Sequence, residues 1–348
     1  MARHAVRSLI GAAILTAVLA VPSGQGAWGG LSDRPAPARL AAESVEVDPI
    51  PVPGSRRGVR RAEQRYRVDG KVRMLLFWLE REDVGGARIR WEFSPEESSV
   101  ALLAGSNPDR APSRLNQWVY LREETDGPVA RVFVLRSLTE AESAASPREA
   151  VLDGPQFGAS CTTLTPALVR TAAATVTAAR GLTYDRFGPV LDRVVESTQW
   201  TAKRGPRPPG SEVGFLTALE RLLTLADASP SAWRSVPYVY NHVAYDLAVV
   251  RTEGEGARTI AGRPYAHLVA ADLAVRNRET RYVTRFRIRY APREVGGGVT
   301  VPVQIVYQPN WWLKIELSLD DRVDLPVDPA TDAVTLARIH DVCARATE

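Results

Sequence analysis

Two cysteines and three histidines are the side chains of this sequence best suited to chemistry. The cysteines are Cys161 and Cys343, and after residue 26 the histidines are His242, His267 and His340. In an oxidising compartment a lone cysteine pair usually forms a disulfide. The alternative is a nucleophilic thiolate on Cys161, activated by His242 or His267, since catalytic partners need not be adjacent in sequence. Nothing near Cys161 marks an activated thiolate, so the disulfide is the favoured interpretation.

Other catalytic and metal-binding patterns are missing from the sequence. It contains no HExxH, GxSxG, Walker or GxGxxG motif. None of the histidines stands at a metal-ligand spacing from the cysteines. The paired acids Glu123-Glu124 and Asp320-Asp321 fall at the ends of predicted strands, where an exposed turn explains them better than a glycosidase site does. We therefore predict a protein without metal or cofactor that works by binding.

A tryptophan pair follows a Pro-Asn turn in the segment YQPNWWLKIELSLD, residues 307–320. Neighbouring side chains of a strand point to opposite faces of the sheet. Matching apolar residues across the two last strands sets Tyr307 opposite Trp311, with Gln308-Pro309-Asn310 as the loop between them. This register predicts that Trp311 faces the core and that Trp312 faces outward.

The same register predicts a binding site around Trp312. Val306 lies opposite it, and the preceding strand brings Val283 beside both. The candidate ligand-binding residues are Trp312, Val306, Val283, Arg285, Arg287 and Lys314. An apolar spot beside a basic row suits an amphipathic anionic molecule, such as a lipid or an acidic glycan. The competing explanation, which we favour, is that another element covers Trp312 and that the arginines are solvated or paired, for example Arg287 with Glu316.

The elements that must hold these residues are mostly strands, with a predicted helical middle. RYRVDGKVRMLLFWLE predicts a hairpin that turns at Asp69-Gly70, and ARIRWEF alternates strictly between apolar and charged residues. TPALVRTAAATVTAARG predicts a helix, with Pro166 at its first position and Gly181 as its stop. GPVLDRVVESTQ and SEVGFLTALERLLTLADASP predict two further helices. Strand patterns return at about residue 236, and DAVTLARIHDVCARA predicts a terminal helix.

The segments together predict an α+β protein. Its antiparallel sheets would form a sandwich or a half-open barrel, with a helical middle segment and a C-terminal helix. The predicted divisions are a signal peptide (1–26), a Pro/Ala-rich linker (27–60), an N-terminal antiparallel β unit (61–140), a helical segment (160–235) and a C-terminal antiparallel β unit with the terminal helix (236–348).

The first residues predict export. In MARHAVRSLIGAAILTAVLAVPSGQGAWGG, Arg3 and Arg7 precede a short apolar run that Pro22 interrupts. A spanning helix needs ~20 apolar residues, so a cleaved signal peptide is predicted and an uncleaved anchor is the alternative. Cleavage after Gly26 would remove two positive charges and lower the formal net charge from +4 to +2. So small a charge argues against nucleic acid as a partner.

The C-terminal run from TRFRIRYAP to VTVPVQIVYQPNWWLKIEL resembles secreted bacterial domains of unknown function. In those domains a strand ending in an aromatic residue is followed by a Pro-Val-x-Ile strand and a last apolar strand. The resemblance covers about the last quarter of the chain. It implies a half barrel like that of the periplasmic lipoprotein carriers, with an apolar cavity, and it implies no catalytic residue.

These patterns predict a periplasmic or secreted protein that binds without catalysis. The predicted partner is a lipid or other amphipathic small molecule, or a protein of the cell envelope. A hydrolase with a site not recognisable from sequence, and a structural scaffold of the envelope, are the two alternatives.

Overall fold

A computed structural model describes much of the chain after residue 59. The described residues are 60–74, 77–93, 97–107, 110, 118–138, 156–177, 187–197, 200–228, 234–291, 302–311, 313–320, 322–323 and 333–347. The predicted signal peptide and nearly all of the predicted linker lie outside these ranges.

The described residues form sixteen strands and three helices. The first eight strands are β1 (Arg60–Met74), β2 (Phe77–Phe93), β3 (Glu97–Ser106), β4 (Trp118–Asp126), β5 (Val129–Ser137), β6 (Gln156–Leu164), β7 (Leu168–Thr177) and β8 (Thr201–Pro206). The others are β9 (Ser235–Tyr240), β10 (Val243–Glu255), β11 (Arg258–Ile260), β12 (Arg263–Tyr265), β13 (Leu268–Asn277), β14 (Val283–Tyr290), β15 (Pro302–Asn310) and β16 (Leu313–Leu319). The helices are α1 (Phe187–Glu196), α2 (Phe215–Ala228) and α3 (Ala333–Thr347).

Fourteen of these strands form one antiparallel sheet in the order β8-β7-β6-β5-β4-β3-β2-β1-β16-β15-β14-β13-β10-β9. Each half of the chain is a meander, and the pairing of β1 with β16 joins the halves. Strands β11 and β12 form a separate small hairpin. The predicted α+β class with a helical middle is therefore wrong, because the described chain is mostly strand with short helices.

The segment predicted as the first helix is in fact strand β7. Its backbone pairs with β6 on one side and with β8 on the other. Alanine favours helices intrinsically, but pairing on both sides of a strand overrides that weak preference. On one face of β7, Ala172 and Ala174 are buried, and their small size lets helices α1 and α3 approach the sheet. The two later helices of this segment, and the terminal helix, are confirmed.

The Asp69-Gly70 pair lies inside β1 and not at a hairpin turn. The register between β1 and β2 shifts between Val68 and Gly70, which marks a β-bulge. The buried Asp69 carboxylate accepts the backbone N–H of Asp83 at 2.8 Å. The bulge thus gives the acidic side chain a partner while the strand continues, and the hairpin turns beyond Met74.

The sheet curves around helix α2. Strand β4 contacts α2 through Glu123, and β9 packs against the same helix. Nine strand steps separate β4 from β9, which is ~43 Å in a flat sheet at ~4.8 Å a step. A helix only ~10 Å wide meets both strands because the sheet is bent. The apolar side of α2 is buried in the main core, where Phe215, Leu219 and Leu222 belong to one cluster with buried residues from both halves of the sheet.

A second core lies on the opposite face of β3 to β7, beneath α1 and α3. Val190, Leu191 and Val194 of α1 and Ile339 and Val342 of α3 are buried there. Cys161 of β6 forms a disulfide with Cys343 of α3, with 5.2 Å between their Cα atoms. The predicted bridge is confirmed, and it fastens the end of the chain to the sheet. None of the helices within the described ranges is long and apolar enough to cross a membrane.

Candidate ligand-binding rim

The two last strands pair in a register four residues away from the predicted one. Tyr307 lies opposite Ile315, and Asn310 lies opposite Leu313. Trp311 therefore stands in the turn and is 65% exposed, so the prediction that it faces the core is wrong. Because the shift is an even number of residues, the buried set of β16, which includes Leu313, Ile315 and Leu317, keeps its predicted face.

Exposed apolar side chains gather at the end of the sheet that holds this turn. The register places Leu79, Val72, Leu313 and Asn310 at one level across β2, β1, β16 and β15. Val283 of β14 lies at about the same level. Phe286 pairs with Tyr307 in an antiparallel pair, Val283 lies three residues before Phe286, and Asn310 lies three residues after Tyr307. We call the exposed residues at this end the tryptophan rim: Trp78, Leu79, Tyr282, Val283 and Trp311.

A tight turn holds Tyr282 in the rim. The buried side chain of Asn277 accepts the backbone N–H groups of Glu279 at 2.8 Å and Thr280 at 2.9 Å. The N–H of Asn277 also donates to the carbonyl of Tyr282, and Arg281 adopts a left-handed φ of 64°. A non-glycine residue in that conformation persists only where surrounding contacts impose it. The turn therefore fixes the backbone position from which the exposed Tyr282 side chain projects.

Arg73 lies between the two described tryptophans of the rim. Its guanidinium carbon is 6.0 Å from the centre of the Trp311 ring, within cation–π range. Across the β1–β2 pair, Arg73 is the register partner of Trp78. Among the described residues no carboxylate pairs with Arg73. The rim therefore combines aromatic rings with a cation that no carboxylate of the described residues neutralises.

The outward face of β13 to β16, by contrast, carries cations that are paired. Arg287 donates to the Asp272 carboxylate at 2.7 and 2.9 Å, and this hydrogen bond raises the pKa of the Arg287 guanidinium. Arg287 was predicted to pair with Glu316, which instead contacts Lys314 and Lys71. Two of the three predicted cations are thus paired: Arg287 with Asp272 on the neighbouring strand, and Lys314 with Glu316 on its own strand.

Five of the six predicted ligand-binding residues lie within the described ranges, and the strand pairing places all five on the outward face of the sheet, spread over three strands. Val306 lies opposite Arg287, four residues along β14 from Val283, which corresponds to ~13 Å. Val283 belongs to the rim and is 41% exposed, whereas Val306 is half-buried. Arg285 is exposed on the outward face. Trp312 lies outside the described residues.

Four residues of the rim were missed as site residues: Trp78, Leu79, Tyr282 and Trp311. One signal was present in the sequence. The stretch MLLFWL, residues 74–79, is apolar throughout, whereas a strand with one face in water alternates apolar and polar residues. An unbroken apolar run at a hairpin end indicates either burial on both faces or an exposed apolar tip.

A cluster of charged side chains joins α3 to the sheet beside the disulfide. His340 of α3 shares a 2.6 Å hydrogen bond with the Glu124 carboxylate, whose other oxygen accepts from Arg122. Burial, the largest single influence, raises the pKa of Glu124, but hydrogen bonds and charge from His340 and Arg122 outweigh it and lower that pKa to about 2. Arg122 also donates to Ser99 at 3.2 Å. We interpret this cluster as an anchor for α3.

The anchor predicts a loss of stability in acid. A carboxylate whose folded pKa is depressed stabilises the fold above its unfolded pKa, here 4.5, and this contribution disappears as the pH falls toward about 2. Glu124→Gln should lower the free energy of unfolding at neutral pH by about 3 kcal/mol, as a shift of this size implies. Urea titrations at several pH values would measure this.

The control for Glu124→Gln is Glu253→Gln, which removes an exposed carboxylate from β10. The control should track the parent protein at every pH, whereas Glu124→Gln should flatten the acid limb. Parallel acid limbs for Glu124→Gln and the parent would contradict the anchor.

The structure bears on the catalytic alternative through Cys161. Its sulfur is bonded to Cys343 and the residue is completely buried, so it offers no thiolate to His242 or His267. Among the described residues no group of three or more His, Cys, Asp or Glu side chains could hold a metal ion. The tryptophan rim thus remains the part of the described surface best suited to binding.

Comparison with known proteins adds no identity. No protein-family model, no curated protein and no solved structure matches this chain.

Proposed function

We propose that the protein is exported, to the periplasm or outside the cell, and binds an amphipathic ligand or an envelope partner through the tryptophan rim without catalysing a reaction. The observation that carries this proposal is the clustering of exposed apolar side chains. Of the eight large apolar side chains exposed in the described ranges, five lie at one end of the sheet. Soluble proteins rarely expose several large apolar side chains together, and such patches commonly mark a site of interaction.

The signal-like N-terminus supports export, and so does the disulfide, because such bonds persist in oxidising compartments. Nothing among the described residues favours the hydrolase or the scaffold alternative by a specific contact. A first test is native mass spectrometry of protein purified from the oxidising compartment, followed by solvent extraction. A stoichiometric amphipathic molecule would support the proposal and identify the ligand class.

We expect Trp78→Ala with Trp311→Ala to weaken binding at least tenfold. Tryptophans at the centre of an interface often contribute ~2 kcal/mol or more each. The free energy of unfolding should change by less than about 2 kcal/mol, because Trp311 is 65% exposed and Trp78, at 39% exposed, is only partly covered. Calorimetric titration with a short-chain phospholipid below its micelle concentration measures the first quantity, and urea unfolding measures the second.

Leu168→Ala is the matched control, since Leu168 is 41% exposed and begins β7 at the opposite end of the sheet. It should bind like the parent. Unchanged affinity in the double tryptophan variant, or equal weakening in Leu168→Ala, would refute the rim as the binding site.

A further inference from the structure

We propose that the partner of the tryptophan rim is the surface of a phospholipid bilayer, on which the protein docks with the β1–β2 and β15–β16 hairpin ends and the β13–β14 turn. This inference rests on the proposed function, and it names the partner of the same site. It depends on three features of the described residues: the shape of the rim, the types of its side chains and its charge.

The shape of the rim suits a flat, deformable partner. Its residues stand at strand ends and in turns of three neighbouring hairpins, and strands β14, β15, β16, β1 and β2 present them in one row. A dissolved small molecule is usually held in a concave pocket that encloses most of its surface. Side chains that project from hairpin ends enclose nothing, but they can enter a headgroup layer together.

The side chains of the rim are of the types that favour a membrane interface. Among the described residues, three aromatic side chains are exposed, and all three belong to the rim: Trp78, Tyr282 and Trp311. Tryptophan and tyrosine concentrate at headgroup level, because their rings are apolar while an N–H or O–H still reaches water. Leu79 and Val283 stand beside them and supply purely apolar surface.

The charge beside the rim complements lipid phosphate. Arg73 lies over the Trp311 ring, and Arg281 is exposed next to Tyr282. No described carboxylate forms an ion pair with either arginine, although Glu279 shares the turn of Arg281. Lys71, two residues before Arg73 on β1, instead forms salt bridges with Glu80 at 2.7 Å and Glu316 at 3.2 Å. The two arginines are thus positioned for phosphate groups.

The test is flotation of the mature full-length protein with vesicles of phosphatidylcholine, with or without phosphatidylglycerol. The parent and the Leu168→Ala control should float with the vesicles. Trp78→Ala with Trp311→Ala should reduce the partition coefficient at least tenfold for both compositions. Arg73→Gln with Arg281→Gln should reduce it chiefly for the vesicles that contain phosphatidylglycerol, and should remove most of its dependence on salt.

Three results would overturn the bilayer as partner. The first is binding of monomeric short-chain phospholipid by a parent protein that does not float, which leaves the proposed function standing. The second is flotation that the tryptophan substitutions do not change. The third is a sedimentation mass of two copies that the same substitutions reduce to one, which would assign the rim to a second copy of the chain. Absence of both lipid binding and flotation would overturn the bilayer and the amphipathic ligand together, and would leave only the envelope partner of the proposed function.

Discussion

Replacing Glu123 with alanine should lower the free energy of unfolding by about 3–5 kcal/mol. The Glu123 side chain lies on β4, is 1% exposed and accepts the N–H groups of Leu216 at 2.9 Å and Thr217 at 2.8 Å. The Thr217 hydroxyl donates to it at 2.6 Å. Removing the carboxylate leaves these buried donors at the start of α2 without their acceptor and opens a cavity. Urea unfolding followed by circular dichroism measures the loss.

Glu123→Gln tests whether the hydrogen-bond acceptor or the negative charge of Glu123 stabilises α2. Burial, the largest influence, raises the pKa of Glu123 above its usual range despite the hydrogen bonds from Thr217 and Leu216, so the ionised form is costly at this position. Glutamine keeps one oxygen to accept a helix N–H without a buried charge. We expect a loss of only about 1 kcal/mol. A loss as large as that of the alanine variant would show that the charge, and not the acceptor, holds α2.

Gly214 provides a second test of the same contact. A Cβ added at Gly214 would lie 2.4 Å from the Glu123 carboxylate oxygen Oε1. Gly214→Ala should therefore destabilise the protein by about 1–3 kcal/mol by displacing that carboxylate. The cost should shrink in a Glu123→Ala background, where the clash is gone. Equal costs of Gly214→Ala in both backgrounds would contradict the contact.

The contacts of Glu123 and Glu124 show what a local sequence pattern does not reveal. The adjacent acids Glu123 and Glu124 were interpreted as an exposed turn, and this interpretation is wrong. Successive residues of a strand face opposite sides, so Glu123 meets α2 while Glu124 meets His340 of α3. The sequence separations are 93 residues from Glu123 to Leu216 and 216 residues from Glu124 to His340. Pairings over such distances leave no trace in a local pattern.

Strand faces were predictable from the sequence, whereas register was not. Alternation in TRYVTRFRIRY puts Phe286, Ile288 and Tyr290 on the same, apolar face of β14, and all three are buried. Alternation repeats every two residues, so every even shift of register fits it equally well. The actual register moves the turn onto Trp311 and turns a predicted core residue into a rim residue.

The disulfide was predictable for a different reason. With two cysteines in a chain that begins like an exported protein, one pairing exists and no register has to be known. Helix α3 was recognisable too, because its apolar spacing is local. What the sequence did not indicate is that Cys161 lies on a strand that this helix covers, since its surroundings were read as the start of a helical segment.

Removing the disulfide should cost about 3–5 kcal/mol. Cys161 and Cys343 are 182 residues apart, and closing so long a loop restricts the unfolded chain strongly, by ~5 kcal/mol in the chain-entropy model. We propose the Cys161→Ala, Cys343→Ala double variant, because alanine leaves no polar atom in this buried place. Chemical unfolding of the parent and the double variant under non-reducing conditions measures the difference.

Reduction distinguishes the cross-link from the packing of its sulfur atoms. A phosphine reductant should destabilise the parent by a similar amount and leave the double variant unchanged. Without the bond, α3 is held by its apolar contacts and by the pairs His340–Glu124 and Arg338–Asp192. Hydrogen exchange should therefore accelerate in α3 first, while β4 and β5 stay protected by strands on both sides. If α3 keeps its protection after reduction, those contacts alone hold the helix, and the cross-link acts on the unfolded chain only.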